Sequence, residues 1–160
     1  MVQIETYSNH AVQAFESGAA ELDDWLQRRA AQAQFQGDAV VRVAVTESGR
    51  VVGYHALCAA SVERALAPGG LRRNAPDPIP VLLLARLAVE LTAQGSGVGV
   101  ALLADVAQRC QQAAHVVGFR ALVIHCRNEQ ALTFYQRWLP VKPLASNHLH
   151  VFVPLRSLTL

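Results

Sequence analysis

The sequence predicts an α/β chain built as a mixed β-sheet flanked by helices. Three observations carry that expectation: the apolar run at residues 81–89, the glycine-rich turn Gln94-Gly95-Ser96-Gly97-Val98-Gly99 behind it, and the amphipathic stretch that opens at Val98. A run apolar on both faces apart from Arg86 suits a central strand covered by helices on two sides. Gly97 and Gly99, lacking side chains between a strand and a helix, are expected to let the chain bend sharply and present its N–H groups to an anion at the helix's positive end.

The remaining elements follow in order. Residues 2–7 predict a short strand. After Ser17-Gly18, the residues Leu22, Trp25, Leu26 and Ala30 recur at helical spacing, predicting an amphipathic helix to about residue 34 with Arg28 and Arg29 near its end, where cations suit the helix dipole. Residues 40–46 and 51–61 are rich in β-formers, and Glu47-Ser48-Gly49-Arg50 between them is spaced for an antiparallel hairpin. Residues 67–80 hold four prolines and two adjacent glycines. This predicts a rigid loop that stays out of the sheet interior and displays Arg72, Arg73 and Asn74 at the surface.

Beyond the central strand, Ala101, Leu102, Val106, Cys110, Ala113 and Val117 mark a helix ending at Gly118 as its C-cap. Residues 121–126 predict a strand, residues 129–138 a short helix capped by Asn128, and residues 148–155 a closing strand. There is no internal repeat and no low-complexity segment.

Composition narrows the function classes. A chain of 160 residues with 52% hydrophobic and 16% charged residues is expected to form a single well-packed domain over residues 1–160. The net charge of +2 neither requires nor excludes nucleic acid, so clustering of cations matters more than their sum. Cys58, Cys110 and Cys126 are far apart and form no C-x-x-C pair, which argues against a disulfide framework or a zinc site and for buried small hydrophobes. His55, His125, His148 and His150 lack metal-ligand spacing, so no metal is expected. The start lacks a signal-peptide pattern and no apolar run approaches the ~20 residues that span a bilayer, so a soluble cytoplasmic protein is expected.

The central strand, the Q-x-x-G-x-G turn, its helix, a strand ending near Asn128 and then Phe134-Tyr135 together resemble the GNAT superfamily of acetyl-CoA-dependent N-acetyltransferases, over most of the chain. More narrowly, Phe15-Glu16-Ser17-Gly18, Leu22-Asp23, Arg28-Arg29-Ala30, Arg73-Asn74-Ala75-Pro76-Asp77-Pro78-Ile79-Pro80, Arg86-Leu87-Ala88-Val89 and Phe134-Tyr135-Gln136-Arg137 resemble the GNAT toxins of type II toxin–antitoxin systems. The resemblance implies a GNAT-like central mixed sheet with acetyl-CoA in the splay between central strands, and acetylation of the amino group of aminoacyl-tRNA that blocks translation. It also implies a homodimer neutralised by a ribbon-helix-helix antitoxin. One departure stands out: Leu139-Pro140 occupies the place where such toxins continue with Gly-Phe, which puts the exit of that helix and the acceptor side in question.

The chemistry can be assigned residue by residue on that basis. Backbone N–H groups of Gln94, Gly95, Ser96, Gly97, Val98 and Gly99 suit the pyrophosphate of acetyl-CoA, the edge of Leu87, Ala88 and Val89 suits its pantetheine amides, and Asn128 is placed to hold the arm. Tyr135 is the catalytic candidate: a hydroxyl with an ordinary pKa near ~10 stays protonated at neutral pH and can serve the departing thiolate as general acid. No carboxylate stands out as a base. Glu90 is nearest and reads equally as a solvated strand-end residue. A missing base favours an α-amine acceptor, whose pKa near ~8 leaves an appreciable neutral fraction.

Arg28, Arg29, Arg72, Arg73, Asn74 and Lys142 are candidates for tRNA contacts, and Arg86 for the acceptor mouth, against the plainer reading of solvated surface. Trp25 and Trp138 are expected to pack. Two other readings compete: a GNAT acting on a protein or small-molecule amine, indifferent to charged tRNA, and a non-catalytic nucleic-acid or protein-binding module on the same fold.

Overall fold

The computed structural model describes residues 1–144 and 147–160. Two compact units make up the chain, residues Met1–Cys58 with Ala85–Asp105, and residues Ala59–Leu84 with Val106–Leu160.

In unit 1, β1 (Gln3–Thr6) pairs antiparallel with β2 (Val40–Val45), from Gln3↔Val45 to Thr6↔Arg42. Strand β2 pairs with the first part of β3 (Val51–Val62) from Val40↔Leu57, with a register shift between Ala44 and Val45. The hairpin is the expected one. Gly49, at φ +87, returns the chain, and the Thr46 N–H reaches the Arg50 carbonyl at 3.0 Å. The first helical segment is broken in two, α1 (Ala20–Arg28) and α2 (Ala30–Phe35), because Arg29 leaves helical geometry at φ −122, ψ −28. Asp23, in the first turn of α1, ties the preceding loop to the helix by accepting from the Ser17 N–H and, at 2.6 Å, from the Ser17 hydroxyl.

Two apolar layers sandwich these strands. Tyr7, Phe15, Leu26, Ala30, Val41, Val43 and Tyr54 pack on one face, under α1 and α2. Ala44, Val52, Val98 and Leu102 pack on the other, beneath the start of α4 (Val98–Ala113). Strand periodicity thus buries both faces at once, and the largest side chains go to one side.

In unit 2, β4 (Ile79–Val89) begins, and its residues Leu82, Leu83 and Leu84 run parallel to Leu122, Val123 and Ile124 of β5 (Ala121–His125). Strand β5 pairs antiparallel with β7 (Asn147–Pro154), which pairs with β6 (Lys142–Leu144). The full strand order is β1-β2-β3-β4-β5-β7-β6, a mixed sheet with helices beside it, as the sequence predicts. Helix α3 (Gly69–Arg72) and helix α5 (Glu129–Trp138) complete the unit.

Three expectations need correction. Residues 67–80 are not a plain loop: α3 forms within them, and β4 starts at Ile79, so Pro80 lies inside the strand. A proline near the first residue of a strand is tolerated because its missing N–H removes no essential ladder bond. Helix α4 ends at Ala113 and not at Gly118, and Val116 and Val117, 87% and 54% exposed, lie outside the core. Gly118 has no positive φ and caps nothing by a left-handed turn. Strand β6 escaped notice because three residues carrying a proline give no periodic signal.

Candidate active site

In unit 1, Leu87, Ala88 and Val89 end β4, with Leu87 and Val89 packed on the Val52–Val98–Leu102 cluster. The parallel pairing with β5 is registered through Leu84↔Ile124, so these residues continue the strand beyond it. The Glu90 N–H donates to the Val52 carbonyl at 2.9 Å, and a 3-10 turn at Leu91–Ala93 leads into the glycine turn.

Gln94 fastens that turn. Its side-chain amide donates to the Ser17 and Val89 carbonyls, each at 2.9 Å, tying the turn to the strand it leaves and to the loop before α1. The Ser96 hydroxyl donates to the Ala93 carbonyl. Gly95 and Gly97 take φ +81 and +92, conformations that side chains disfavour. Gly99 instead lies in the first turn of α4 without a positive φ, so the bend is made by Gly95 and Gly97 and not by Gly97 and Gly99.

A Cβ at Gly95 or Gly97 would meet nothing within 4 Å, which leaves the face of the turn open. The first helical bond runs from the Ala101 N–H to the Gly97 carbonyl at 3.0 Å. The N–H groups of Val98, Gly99 and Val100 therefore precede it and have no acceptor within the helix. The start of α4 and the end of β4 lie close on β3: a Cβ at Gly53 would stand 2.9 Å from Leu102 Cδ1, 3.1 Å from Val98 Cγ1 and 3.2 Å from the Ala88 carbonyl.

Arg86 sits one residue before this edge. Its guanidinium lies over Trp25, 4.6 Å from the ring centre, and Trp25 stacks on Tyr54 at 6.1 Å and 10°. The Tyr54 hydroxyl donates to the Leu22 carbonyl at 2.6 Å. Burial pushes the Tyr54 phenol well above its ordinary value, with Arg86 opposing, and burial also raises the half-buried Cys58 thiol. Trp25 therefore packs as expected, but as the base of a column that holds Arg86.

Glu90 is not a solvated strand end. The Thr92 hydroxyl, at 2.7 Å, holds its carboxyl below the usual carboxylate range against a desolvation that opposes it, and Arg50 assists at 2.5 Å. A carboxylate stabilised in this way is a poor base.

In unit 2, Asn128 caps α5 as predicted, its side-chain oxygen accepting the Ala131 N–H at 2.9 Å while its amide nitrogen takes no part in the cap. Tyr135 lies two turns further along the same helix, 6% exposed and edge-on to Phe134 at 5.2 Å and 70°. Burial, aided by Cys126, pushes its hydroxyl well above the ordinary phenol value assumed from sequence. The departure at Leu139-Pro140 resolves simply. Leu139 is extended at φ −134, ψ 148 and buried, and its N–H still caps the Tyr135 carbonyl at 2.8 Å, so α5 ends without a glycine.

The remaining candidates take simpler places. The thiols of Cys126 and Cys110 are pushed up by burial to about 11 and about 12, so neither is a nucleophile at neutral pH. Cys58 departs from the buried-hydrophobe expectation in being only half-buried. His125 and His150 stack at 3.9 Å, His148 meets Glu129, and His55 is fully buried against Asp105. Among the described residues no group of three His, Cys, Asp or Glu is placed to hold a metal. Arg28 and Arg29 are exposed in unit 1, and Arg72, Arg73 and Asn74 are exposed in unit 2.

Sequence reasoning missed Arg120 and Arg156. The Arg120 guanidinium donates to the Arg73 carbonyl at 3.2 Å and the Asn74 carbonyl at 2.6 Å. No periodicity marks an isolated arginine whose partners are backbone carbonyls far away in sequence.

Comparison with known proteins places this geometry. The model of the acetyltransferase (GNAT) family matches residues 5–139. A relative from Mycobacterium tuberculosis (strain ATCC 25618 / H37Rv), named a tRNA-acetylating toxin, is 46% identical over 140 residues, covering 86% of this chain and 83% of that protein. Among solved structures, AtaT complexed with acetyl-methionyl-tRNAfMet is 27% identical with a TM-score of 0.88, covering 98% of this chain and 96% of that one. AtaTR bound with acetyl-CoA is 27% identical with a TM-score of 0.85, covering 98% and 95%. Sheet, glycine turn and family match agree, and the chain belongs to the acetyltransferase (GNAT) family.

Proposed function

We propose that this chain is a toxin that transfers the acetyl group of acetyl-CoA to the α-amino group of aminoacyl-tRNA and so stops translation. The observation that carries the reading is 46% identity, over 86% of the chain, with a tRNA-acetylating toxin. The open glycine turn at the start of α4 and the likeness to AtaT with acetyl-methionyl-tRNAfMet and to AtaTR with acetyl-CoA support the same acceptor and donor.

Acetyl-CoA supplies an acetyl group activated as a thioester. The N–H groups of Gly95, Gly97, Val98 and Gly99 receive its pyrophosphate, on a turn held rigid by Gln94 and Ser96. The backbone of Leu87, Ala88 and Val89, at the end of β4, offers the pantetheine amides hydrogen-bonding groups, and the Asn128 amide holds the arm. The neutral amine attacks the thioester carbonyl and forms the new C–N bond as the C–S bond breaks. CoA departs as the thiolate, and the proton shed by the amine passes through solvent to that thiolate. Tyr135, kept protonated by its burial, donates a hydrogen bond to the departing sulfur.

No protein base is needed, because an aminoacyl α-amine is partly neutral near pH 7. Arg28, Arg29, Arg72, Arg73 and Asn74 meet the tRNA, and Arg86, seated on Trp25, faces the aminoacyl end. The chain acts as a homodimer in the cytoplasm and is neutralised by a ribbon-helix-helix antitoxin. The likeness to AtaT bound to the C-terminus of the antitoxin AtaR, at 26% identity and a TM-score of 0.84, supports an antitoxin partner.

Labelled acetyl-CoA incubated with the chain and a total aminoacyl-tRNA pool tests the reading, with deacylated tRNA and Tyr135→Phe as controls. Label entering the aminoacyl moiety, dependent on charging and on Tyr135, is the expected result. Acetyl-CoA binding without such transfer would overturn it.

A further inference from the structure

A cleft of about 360 Å³ in unit 2 is lined by Gly70, Arg73, Asn74, Arg120 and Arg156. Three of the five lining residues are arginines and none is acidic. The whole chain has 14 Lys and Arg against 12 Asp and Glu, so three cations gathered without a carboxylate are a local excess and not a reflection of overall charge. Among the described residues none of the three has an ion-pair partner. Like charges converging on one cleft repel, and an anion seated between them relieves that repulsion.

The convergence is built into the backbone. The Arg120 N–H donates to the Pro80 carbonyl at 2.9 Å, and its own carbonyl accepts the Leu155 N–H at 3.1 Å. One edge of its guanidinium is fastened to the Arg73 and Asn74 carbonyls, with Asn74 held at φ 55. Arg120 therefore joins the segment after α3, the start of β5 and the segment after β7, which brings Arg73 and Arg156 to the same place. Gly70 keeps the mouth open, since a Cβ there would meet nothing within 4 Å.

We propose that this cleft is a phosphodiester pocket, in which Arg73, Arg120 and Arg156 seat one backbone phosphate of the tRNA. The proposal rests on the aminoacyl-tRNA reading above and adds Arg120 and Arg156 to the residues that meet the substrate. A planar guanidinium with one edge already fixed presents its other donors in the fork that a phosphate accepts. The volume equals that of roughly ten waters, enough for a phosphate and its flanking sugar.

The test measures acetyl transfer to charged tRNA across a salt series with wild type, Arg156→Glu and Gly70→Glu, together with acetyl-CoA affinity as the check on folding. Gly70→Glu adds a carboxylate at the mouth where nothing is packed. Both variants are expected to raise KM for charged tRNA at least about tenfold, and Arg156→Glu to lower the slope of log affinity against log salt by about one. Acetyl-CoA affinity is expected to stay at the wild-type value.

Wild-type transfer with KM and salt slope unchanged in both variants overturns the pocket and leaves the proposed function standing. No transfer to any charged tRNA by wild type overturns both. Inorganic phosphate serves as the free-anion probe: if it binds wild type but not Arg156→Glu while both handle tRNA alike, the site takes free phosphate and the tRNA assignment falls.

Discussion

His55 Nε2 and Asp105 Oδ2, fifty residues apart in sequence, meet at 2.7 Å inside unit 1. Arg42 closes on the same carboxylate with Nε at 2.7 Å and a second nitrogen at 3.1 Å. Strands β2 and β3 are thereby fastened to α4, the helix whose first turn makes the candidate phosphate cradle.

Asp105→Asn is expected to destabilise the chain by about 3 kcal/mol, because it leaves His55 and Arg42 facing a neutral amide. Burial by itself would raise the Asp105 carboxyl, but His55 and Arg42 hold it down to about 2, from an ordinary 3.8. A folded value below the unfolded one stabilises above the unfolded value and is lost as pH falls towards the folded one. Urea unfolding between pH 5 and pH 2 should therefore show a steeper loss of stability in wild type than in Asp105→Asn. Parallel slopes would refute the coupling.

Gly53→Ala should lower stability by about 1–3 kcal/mol, since its Cβ would press within 3.2 Å of the Ala88 carbonyl as well as on Leu102 and Val98. The element displaced is the first turn of α4, so acetyl-CoA affinity should fall with it. A melting curve and a binding isotherm on the same sample check both parts.

Gln94→Ala removes two hydrogen bonds to carbonyls and should cost about 1–2 kcal/mol. Because Gln94 holds the turn and not the reacting atoms, KM for acetyl-CoA should rise several-fold while kcat holds. A drop in kcat alone would contradict this role.

Tyr135→Phe should reduce kcat by roughly a hundredfold with acetyl-CoA affinity nearly unchanged. Burial raises the Tyr135 hydroxyl above its ordinary value, so it remains protonated throughout the assay range. The wild-type rate should show no alkaline decline from this group up to pH 9. A decline present in wild type and absent in Tyr135→Phe would show that Tyr135 ionises there.

Much of this was legible in the sequence, for physical reasons. The hairpin at Glu47-Ser48-Gly49-Arg50, the long apolar strand and the Asn128 cap are encoded within a few residues of themselves, where periodicity and turn chemistry operate. The glycine turn was readable, though not which of its glycines take positive φ. What escaped depends on partners distant in sequence. Arg42, His55 and Asp105 look like unrelated polar residues until the sheet and α4 close on them, and Arg120 finds its carbonyls 46 and 47 residues away. The Tyr135 shift escaped because spacing says nothing about how deeply a helix face is buried.

The chain has two tryptophans, and the guanidinium of an arginine lies over each: Arg86 over Trp25 in unit 1 and Arg137 over Trp138 in unit 2. Indole emission depends on nearby charge, so the molecule carries its own optical probes. With Trp138→Phe, the remaining signal belongs to Trp25 and follows the position of Arg86. An acceptor that draws Arg86 off the ring announces its arrival as a change in fluorescence, with no label attached and no chemistry required.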